Sequence, residues 1–460
     1  MIDAALREAL RAIVGDAWVL DSPEALETYG QDALKKPARP DVVVRPASTS
    51  EVAAVMRACH ATRTPIVPRG AGTGYTGGSV PVRGGVVVSL DRMNRILQID
   101  ADNLLAVVQP CVITGHLQAA VEAQGLFYPP DPASLETCAI GGNIAECAGG
   151  PRAFKYGTTR RYVLGLEVVL PTGEIIRTGS KTIKNVVGYD LTQLLVGSEG
   201  TLAIVTEIVL RLIPLPPARA LLRATFATIE TAVSGVLAVL RTGTMPAALE
   251  LIDRASLDAV RHRLGTSLAP EGTGAVVLLE VDGTSASVAE QLDVMEAACR
   301  ANGAGECLRA LEASEREALW RIRRELSLSL RTIAPLKLNH DVVVPTGRIP
   351  RLFALVERLR QEFQLKLACF GHVGDGNIHV NLMVNPEDAD EMRRARLAER
   401  QLFEGVVALE GSISGEHGIG YTKAPYLDIE LGPDVIALMR RLKQAFDPFG
   451  VLNPGKIFPR

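Results

Sequence analysis

Ile2, Leu6, Leu10, Ile13 and Val14 recur at helical spacing with charged residues between them, which predicts an amphipathic first helix. The period then shortens. Val42-Val-Val-Arg and Gly85-Val-Val-Val-Ser-Leu read as short strands around a helix from Ser50 to Thr62, which stops ahead of Pro65 because proline disfavours helical backbone in the residue before it. Further strands are predicted at Leu105-Ala-Val-Val-Gln, Val163-Leu-Gly-Leu-Glu-Val-Val-Leu and Leu202-Ala-Ile-Val-Thr-Glu-Ile-Val-Leu. Ile213-Pro-Leu-Pro-Pro-Ala reads as a linker, since its prolines continue neither a helix nor a central strand.

Beyond the linker, strand-like runs (Ala220 to Phe226, Ala275 to Asp282, Lys366 to Phe370, Ile378 to Met383) interleave with helical ones (Ile229 to Arg241, Ser287 to Ala301, Arg351 to Glu362, Asp388 to Leu409). That alternation predicts an α+β domain with helices on one face of an antiparallel sheet. Ala424 to Phe446 reads as one or two helices. The expected division is residues 1–217, 218–420 and a helical segment, 421–460, that returns to the first domain.

With 460 residues, of which 47% are hydrophobic, the chain can bury more than one core. A formal net charge of −3 argues against nucleic acid or an anionic membrane as the main partner. No run of 18 apolar residues spans a bilayer, and charges interrupt the region where a signal peptide would be apolar. The seven cysteines contain no Cys-x-x-Cys pair, so no zinc ribbon, iron–sulfur cluster or disulfide framework is expected. The setting that follows is cytoplasmic, with peripheral attachment to an inner membrane left open.

Pro68-Arg-Gly-Ala-Gly-Thr-Gly-Tyr-Thr-Gly-Gly-Ser79 concentrates glycines whose backbone N–H groups can converge on a pyrophosphate. Gly72 to Gly77 matches G-x-G-x-x-G, and Asp91 lies near the distance of a ribose-binding acid. The Rossmann reading nevertheless fails. That motif opens a helix, which Pro81 and Gly84-Gly85 forbid here. A second segment, Pro129 to Gly150, combines small residues and hydroxyls, and lets a flat ligand lie against backbone.

The ordered set PRGAGTGYTGGS, PPDPASLETCAIGGNIAECAGG, YG, LGLEVVLPTGE and GYDLTQLLVGSEGTLAIVTE resembles the FAD-binding domain of the vanillyl-alcohol oxidase superfamily, over about residues 38–215. The resemblance implies FAD, with its pyrophosphate on Gly70 to Gly78 and its ring system near Gly141-Gly142-Asn143 and Gly149. The cofactor positions it picks out are Arg69, Gly70, Ala71, Gly72, Thr73, Gly74, Gly77, Gly78, Ser79, Pro130, Asp131, Ser134, Thr137, Gly141, Gly142, Asn143, Ala145, Gly149, Glu199, Gly200, Ile204 and Asn453. Several relatives attach the flavin through a His in the first glycine loop. Thr73 stands there in this chain, so noncovalent FAD is expected.

Of the seven histidines, His60, His116 and His262 give no reason to leave a structural or surface role. Gly371-His-Val-Gly-Asp-Gly-Asn-Ile-His-Val-Asn381 differs, because a Gly-Asp-Gly-Asn turn between β-like runs fits a hairpin that draws His372 and His379 together. His379 and Asn381 then share a strand face. A divalent metal would need a third ligand, which Glu416 in Gly415-Glu-His-Gly-Ile-Gly420 offers.

GHVGDGNIHVN, GEHGIG and DPFGVLNPGK are similar to the C-terminal half of flavin-linked D-2-hydroxyacid dehydrogenases, a group that includes D-lactate, D-2-hydroxyglutarate and glycolate-oxidising enzymes. By that resemblance His372, His379 and Glu416 are metal ligands, usually for Zn²⁺, and His417 is the catalytic base. An imidazole's ordinary pKa of about 6.5 suits that task. Trp320-Arg-Ile-Arg matches the group's Trp-x-x-Arg element and singles out Arg323 for the substrate carboxylate, with Ser327 on the same helix face. Asn381 and Lys337 complete the substrate-binding set, although Asn339 occupies the position where some relatives have the lysine.

The expected reaction oxidises a small D-2-hydroxy carboxylate to the 2-oxo acid. With no cluster or haem motif in the chain, the electrons must leave to an external quinone, cytochrome, electron-transfer flavoprotein or iron–sulfur subunit. A homodimer is compatible with the sequence. The rival readings are a glycolate oxidase catalytic subunit that needs its partners and an alkyl-glycerone-phosphate-synthase-like flavin transferase.

Overall fold

Asp3 caps the first helix, Ala4–Val14, by accepting from the Leu6 N–H, and the helix buries Leu6, Leu10 and Val14. They pack with Val52, Val55, Met56 and Cys59 of the helix Thr49–Thr62, beside the strand residues Val42, Val44, Val86 and Val88. The computed structural model describes residues 2–459. The chain divides into two units, one comprising Met1–Gly149, Thr158–Leu215 and Glu416–Arg460, the other Gly150–Gly157 and Pro216–Gly415.

In the first unit, a four-stranded sheet runs in the order Val19–Leu20, Val42–Val44, Val86–Ser89, Ile66–Arg69. Val86–Ser89 pairs in parallel with both neighbours, and its four residues are all buried, as a two-faced parallel strand requires. A five-stranded antiparallel sheet follows the order Ile96–Asp100, Leu105–Val108, Ile204–Arg211, Val163–Val169, Ile175–Gly179. Residues 416–460 complete the unit: Leu452 bridges Ile66, and the Asn453 N–H donates to the Ile66 carbonyl at 2.6 Å. The supposed linker differs from expectation, because Ile213–Pro214 forms a short antiparallel pair with Leu126–Phe127. Two residues suffice for such a pair, and Pro214 forgoes only one donor.

The second unit is built on a seven-stranded antiparallel sheet ordered Ala304–Ala310, Ala218–Phe226, Ala275–Gly283, Ala248–Asp253, Lys366–His372, Asn377–Val384, Leu336–Val343. Helices cover both faces, not one. On one face Leu257 and Val260 of the helix Arg254–Leu264, with Leu326 of the helix Ala313–Ser329, pack on Ile252, Leu278 and Phe370. On the other, His340 meets Phe403 of the helix Ala389–Ala408 edge-on at 5.3 Å. The run Val276-Val-Leu-Leu-Glu-Val carries the physical reason: the inner strands are buried on both sides, so alternation is lost. The segment Gly150–Gly157 joins this unit through Asp282, which pairs with Lys155 and accepts from the Tyr156 hydroxyl at 2.7 Å. Among the described residues, no helix is long and apolar enough to cross a membrane.

Candidate active site

The hairpin forms where the turn residues place it. Lys366–His372 and Asn377–Val384 pair antiparallel, His372 opposite Asn377 and Phe370 opposite His379. Both imidazoles therefore share one face, with ring centroids 5.5 Å apart and planes at 83°. The register continues that face outward. Asn381 lies opposite Asn339 and accepts from its side-chain amide at 2.9 Å, while Asp341 lies opposite His379. Lys337, Asn339 and Asp341 alternate onto this same face, so the displacement of the lysine by two residues leaves it on the side where the site is built.

Asp341, fully buried, holds the end of the unit: its Oδ2 accepts from the Gly415 N–H at 3.0 Å and its Oδ1 from the Ser414 hydroxyl at 3.4 Å. Glu416 is the next residue along the chain. Among the described residues, His372, His379 and Glu416 form the one group of three His, Cys, Asp or Glu residues whose ligand atoms all lie within 4.8 Å of one another. Two imidazoles and a carboxylate are a donor set suited to a first-row divalent cation with open positions, so these residues fit a metal.

Arg323 reaches the same face from the helix Ala313–Ser329, its Cζ 4.8 Å from the Phe370 ring centroid. It meets a residue that the motifs did not reveal. Glu250, wholly buried on the strand Ala248–Asp253 and opposite His372 in register, binds Arg323 Nε and Nη2 through Oε2 and His372 Nδ1 through Oε1. Burial pushes the Glu250 carboxyl up, but Arg323 and His372 together overcome this and hold it below the usual carboxylate range. The signal for Glu250 was a lone acid inside Ala248-Leu-Glu-Leu-Ile, whose neighbours are all buried. Ser327 Oγ accepts from Lys337 Nζ, and burial, aided by Arg331, lowers that lysine's pKa to about 8. Trp320 donates to Glu280 Oε2 at 2.7 Å.

His417 is set by its backbone. In the first unit, Thr76 of the glycine loop donates its hydroxyl to the His417 carbonyl at 3.0 Å, and the Thr76 carbonyl accepts from the Tyr421 N–H at 3.1 Å. Glu199, which is buried, accepts from the Ile419 and Gly420 N–H groups at 2.8 and 2.6 Å. Burial raises its carboxyl pKa, and those two donors oppose the rise. A Cβ at Gly420 would collide with the Thr76 carbonyl, so only glycine fits this crossing, where φ is +54°. The imidazole lies against Tyr75, ring centroids 5.3 Å apart. Glu199→Gln should retain one of the two loop bonds and turn an amide N–H against the other donor. The expected loss is about 1–3 kcal/mol of unfolding free energy in urea; an unchanged midpoint would show that Glu199 does not anchor this loop.

The first unit also contains a cavity of about 590 Å³ bounded by Gly70 and Ala71, by Cys111, Val112 and Ile113, and by His116 and Ala139. His116, read from sequence as structural, is thus on its wall. Beside these, a Cβ built on Gly74 or Gly142 would meet nothing within 4 Å, so side-chain-free backbone faces open space at both glycine segments. That is the shape a flat dinucleotide needs, and the residues fit FAD.

The other cofactor positions sort into backbone support and core. Arg69 donates to the Gln31 carbonyl and, at 3.3 Å, to Ser79 Oγ, and its guanidinium lies under Gly72. Asn453 ties Gly78 to Glu199 by donating to both carbonyls at 2.9 Å, and a Cβ at Gly77 would run into the Tyr421 ring. Asn143 donates to Thr114 Oγ1 at 2.7 Å, Gly141 N–H to the Pro110 carbonyl at 2.7 Å, and the Glu199 N–H to the Ala145 carbonyl at 2.8 Å. The Pro130 carbonyl accepts from Gln118, Asp131 is buried beside it, and Ser134 and Thr137 close one turn. Gly149 is buried, Thr73 is half-buried, and Gly200, at φ +64°, passes close over Pro68. Ile204 belongs to the hydrophobic core with Val86 and Val88. Asp91 is engaged by Arg45 and Tyr29, at 2.9 Å each, which agrees with rejecting it as a Rossmann acid.

Residues 215–457 match the family described as FAD linked oxidases, C-terminal domain, and residues 40–179 match the FAD binding domain. The chain belongs to the FAD-linked oxidases. It is 41% identical to the glycolate oxidase subunit GlcD of Bacillus subtilis (strain 168), an alignment covering 100% of this chain and 98% of the relative. It is 38% identical to the D-lactate dehydrogenase of Anaerostipes hadrus over 97% and 94% of the two chains. Its fold is that of p-cresol methylhydroxylase with substrate bound, at TM-score 0.82 and 19% identity over 98% and 96% of the chains. This oxidase is therefore an FAD-dependent oxidoreductase of α+β fold, with the flavin domain expected from its glycine loops.

Proposed function

We propose that this oxidase converts a D-2-hydroxy acid, R–CH(OH)–COO⁻, to the 2-oxo acid. The observation that carries the reading is that Arg323, His372, His379 and Asn381 all reach one face of the seven-stranded sheet. Arg323 would take the substrate carboxylate, because its planar fork matches two carboxylate oxygens. Asn381 and Lys337, on the same face, would orient the rest of the acid. His417 would accept the hydroxyl proton on its imidazole. FAD, when bound, supplies the acceptor for the hydrogen at C2 as hydride, and afterwards passes two electrons to an external acceptor. His372, His379 and Glu416 would hold a divalent cation, Zn²⁺ by chemical preference, whose Lewis acidity would lower the hydroxyl pKa. The relatives named as glycolate oxidase subunit and D-lactate dehydrogenase both favour a small 2-hydroxy acid here. The first of them also supports a second reading, in which R is hydrogen and the chain works with partner subunits.

The test is anaerobic bleaching of the flavin absorbance by D-lactate, L-lactate, glycolate, D-malate and D-2-hydroxyglutarate, each with and without chelator. Rapid bleaching by one D-acid, lost on chelation and restored by Zn²⁺, is the expected result. Bleaching by glycolate alone would favour the partnered subunit. Bleaching that ignores chelator would remove the cation from the mechanism, and none with any acid would point to the flavin transferase.

A further inference from the structure

Glu250 has both oxygens committed, Oε1 to His372 Nδ1 and Oε2 to Arg323 Nε and Nη2. It is 0% exposed, and Arg323 and His372 are 6% and 4% exposed, so solvent does not compete for these bonds. The three residues come from separate elements: a central strand, the neighbouring strand of the hairpin, and the helix laid over that face. Cross-strand register fixes the first contact, since Glu250 and His372 are direct partners. The face of Phe370 fixes the second, holding the guanidinium in place 4.8 Å from its centroid.

A carboxylate placed this way has two chemical consequences. At His372 it accepts the Nδ1 proton, which leaves the Nε2 lone pair as the nitrogen available to a cation. At Arg323 it fixes the plane of the guanidinium, and so the direction in which the remaining N–H groups point. We propose that Glu250 is a positioning residue that sets the tautomer of His372 and the orientation of Arg323 together, so that the cation ligand and the substrate-carboxylate anchor are coupled through one side chain. The inference rests on the reading of His372 as a cation ligand and of Arg323 as the anchor. Glu250 would act through these two side chains, to which both of its oxygens are bound. Deletion of such a partner lowers metal affinity roughly 10–100-fold in proteins that use the arrangement.

Glu250→Gln tests this with little change in volume. A glutamine has one acceptor oxygen, so its amide must face either His372, favouring the opposite tautomer, or Arg323, opposing a donor with a donor. The holoprotein's affinity for Zn²⁺ would be measured by competition with a chromogenic chelator. Its affinity for oxalate, a carboxylate that cannot be oxidised at a carbinol carbon, would be followed by perturbation of the flavin spectrum. Glu250→Gln should weaken Zn²⁺ about 10–100-fold and oxalate about tenfold with flavin content retained. The coupling has its own signature. Arg323→Lys, a change outside the cation-binding set of His372, His379 and Glu416, should weaken Zn²⁺ severalfold in the otherwise native chain and have no such effect in the Glu250→Gln background. A purely structural glutamate predicts the same small effect in both backgrounds, and that result would overturn the proposal. So would Zn²⁺ binding within twofold of the native value in Glu250→Gln. If the native holoprotein itself binds no Zn²⁺, the cation reading fails instead, which is a different result. Should Glu250→Gln not retain flavin, Arg323→Lys alone decides: unchanged Zn²⁺ affinity in that variant refutes the coupling.

Discussion

His417→Ala should keep its FAD and lose rapid reduction of the flavin by the hydroxy acid, the rate falling by about 10²–10⁴. The expectation of an intact site comes from how the loop is held. The His417 carbonyl accepts from Thr76, and Ile419 and Gly420 are bound by Glu199, so none of these anchors uses the imidazole. Truncation removes a ring that lies beside Tyr75 and leaves the backbone path unchanged. A base deletion with preserved binding lowers the chemical step and spares affinity, so the rate at saturating acid should fall while the concentration for half-saturation changes little. Stopped-flow bleaching under anaerobic conditions separates the two. A rate within fivefold of the native protein would remove His417 from the role of base, and a large loss of bound flavin would place it in cofactor retention.

Arg323→Leu should have the largest effect on stability, a loss of about 3–5 kcal/mol. The reason lies in its partner. Glu250 is completely buried, and Arg323 is the first of the two groups that keep its carboxyl ionised; without the guanidinium a desolvated carboxylate would be left with His372 alone. Arg323→Lys keeps a cation but not the planar fork, so it should fold while lowering kcat/KM for the hydroxy acid by about 10–100-fold, the equivalent of about 1.5–3 kcal/mol for a lost charged hydrogen bond. Urea unfolding measures the first effect and flavin reduction the second. A Leu variant within 1 kcal/mol of native stability would mean that Glu250 is satisfied without Arg323, and a Lys variant with native kcat/KM would mean that the carboxylate is bound elsewhere.

The parts of the site legible in sequence were those written in one stretch of chain. Gly-Asp-Gly-Asn declares a turn, and period 2 then places His379 and Asn381 together, so the hairpin needed no other element. The glycine loop was readable because so dense a run of glycines suits little besides the close approach of backbone to a ligand, and the failure of a helix to follow it excluded the dinucleotide fold of other families. Glu250 was not legible as a site residue. Its two partners lie on other elements, and a single acid in a strand does not say what it meets. The placement of Gly150–Gly157 in the second unit was hidden for a related reason: the crossing is made by Tyr156 and Lys155 on Asp282, with no change of composition to mark it. The helices on the second face of the sheet were missed because a continuous apolar run reports burial without counting the sides from which it comes.

Leu452 lies beside Ile66, Asn453 ties the glycine loop to Glu199, and Lys443 donates to the Thr201 and Leu452 carbonyls, so residues 416–460 close a unit whose sheets are made much earlier in the chain. During synthesis at ~5–20 residues per second, Pro216–Gly415, nearly all of the second unit, emerges before the last segment of the first, a delay on the order of tens of seconds. Through that interval the strand at Ile66 has an uncovered edge, the kind of surface that invites pairing with another chain. The flavin-binding unit is thus begun first and completed last, and a nascent chain halted before Glu416 lacks both the loop of His417 and the cover of that edge.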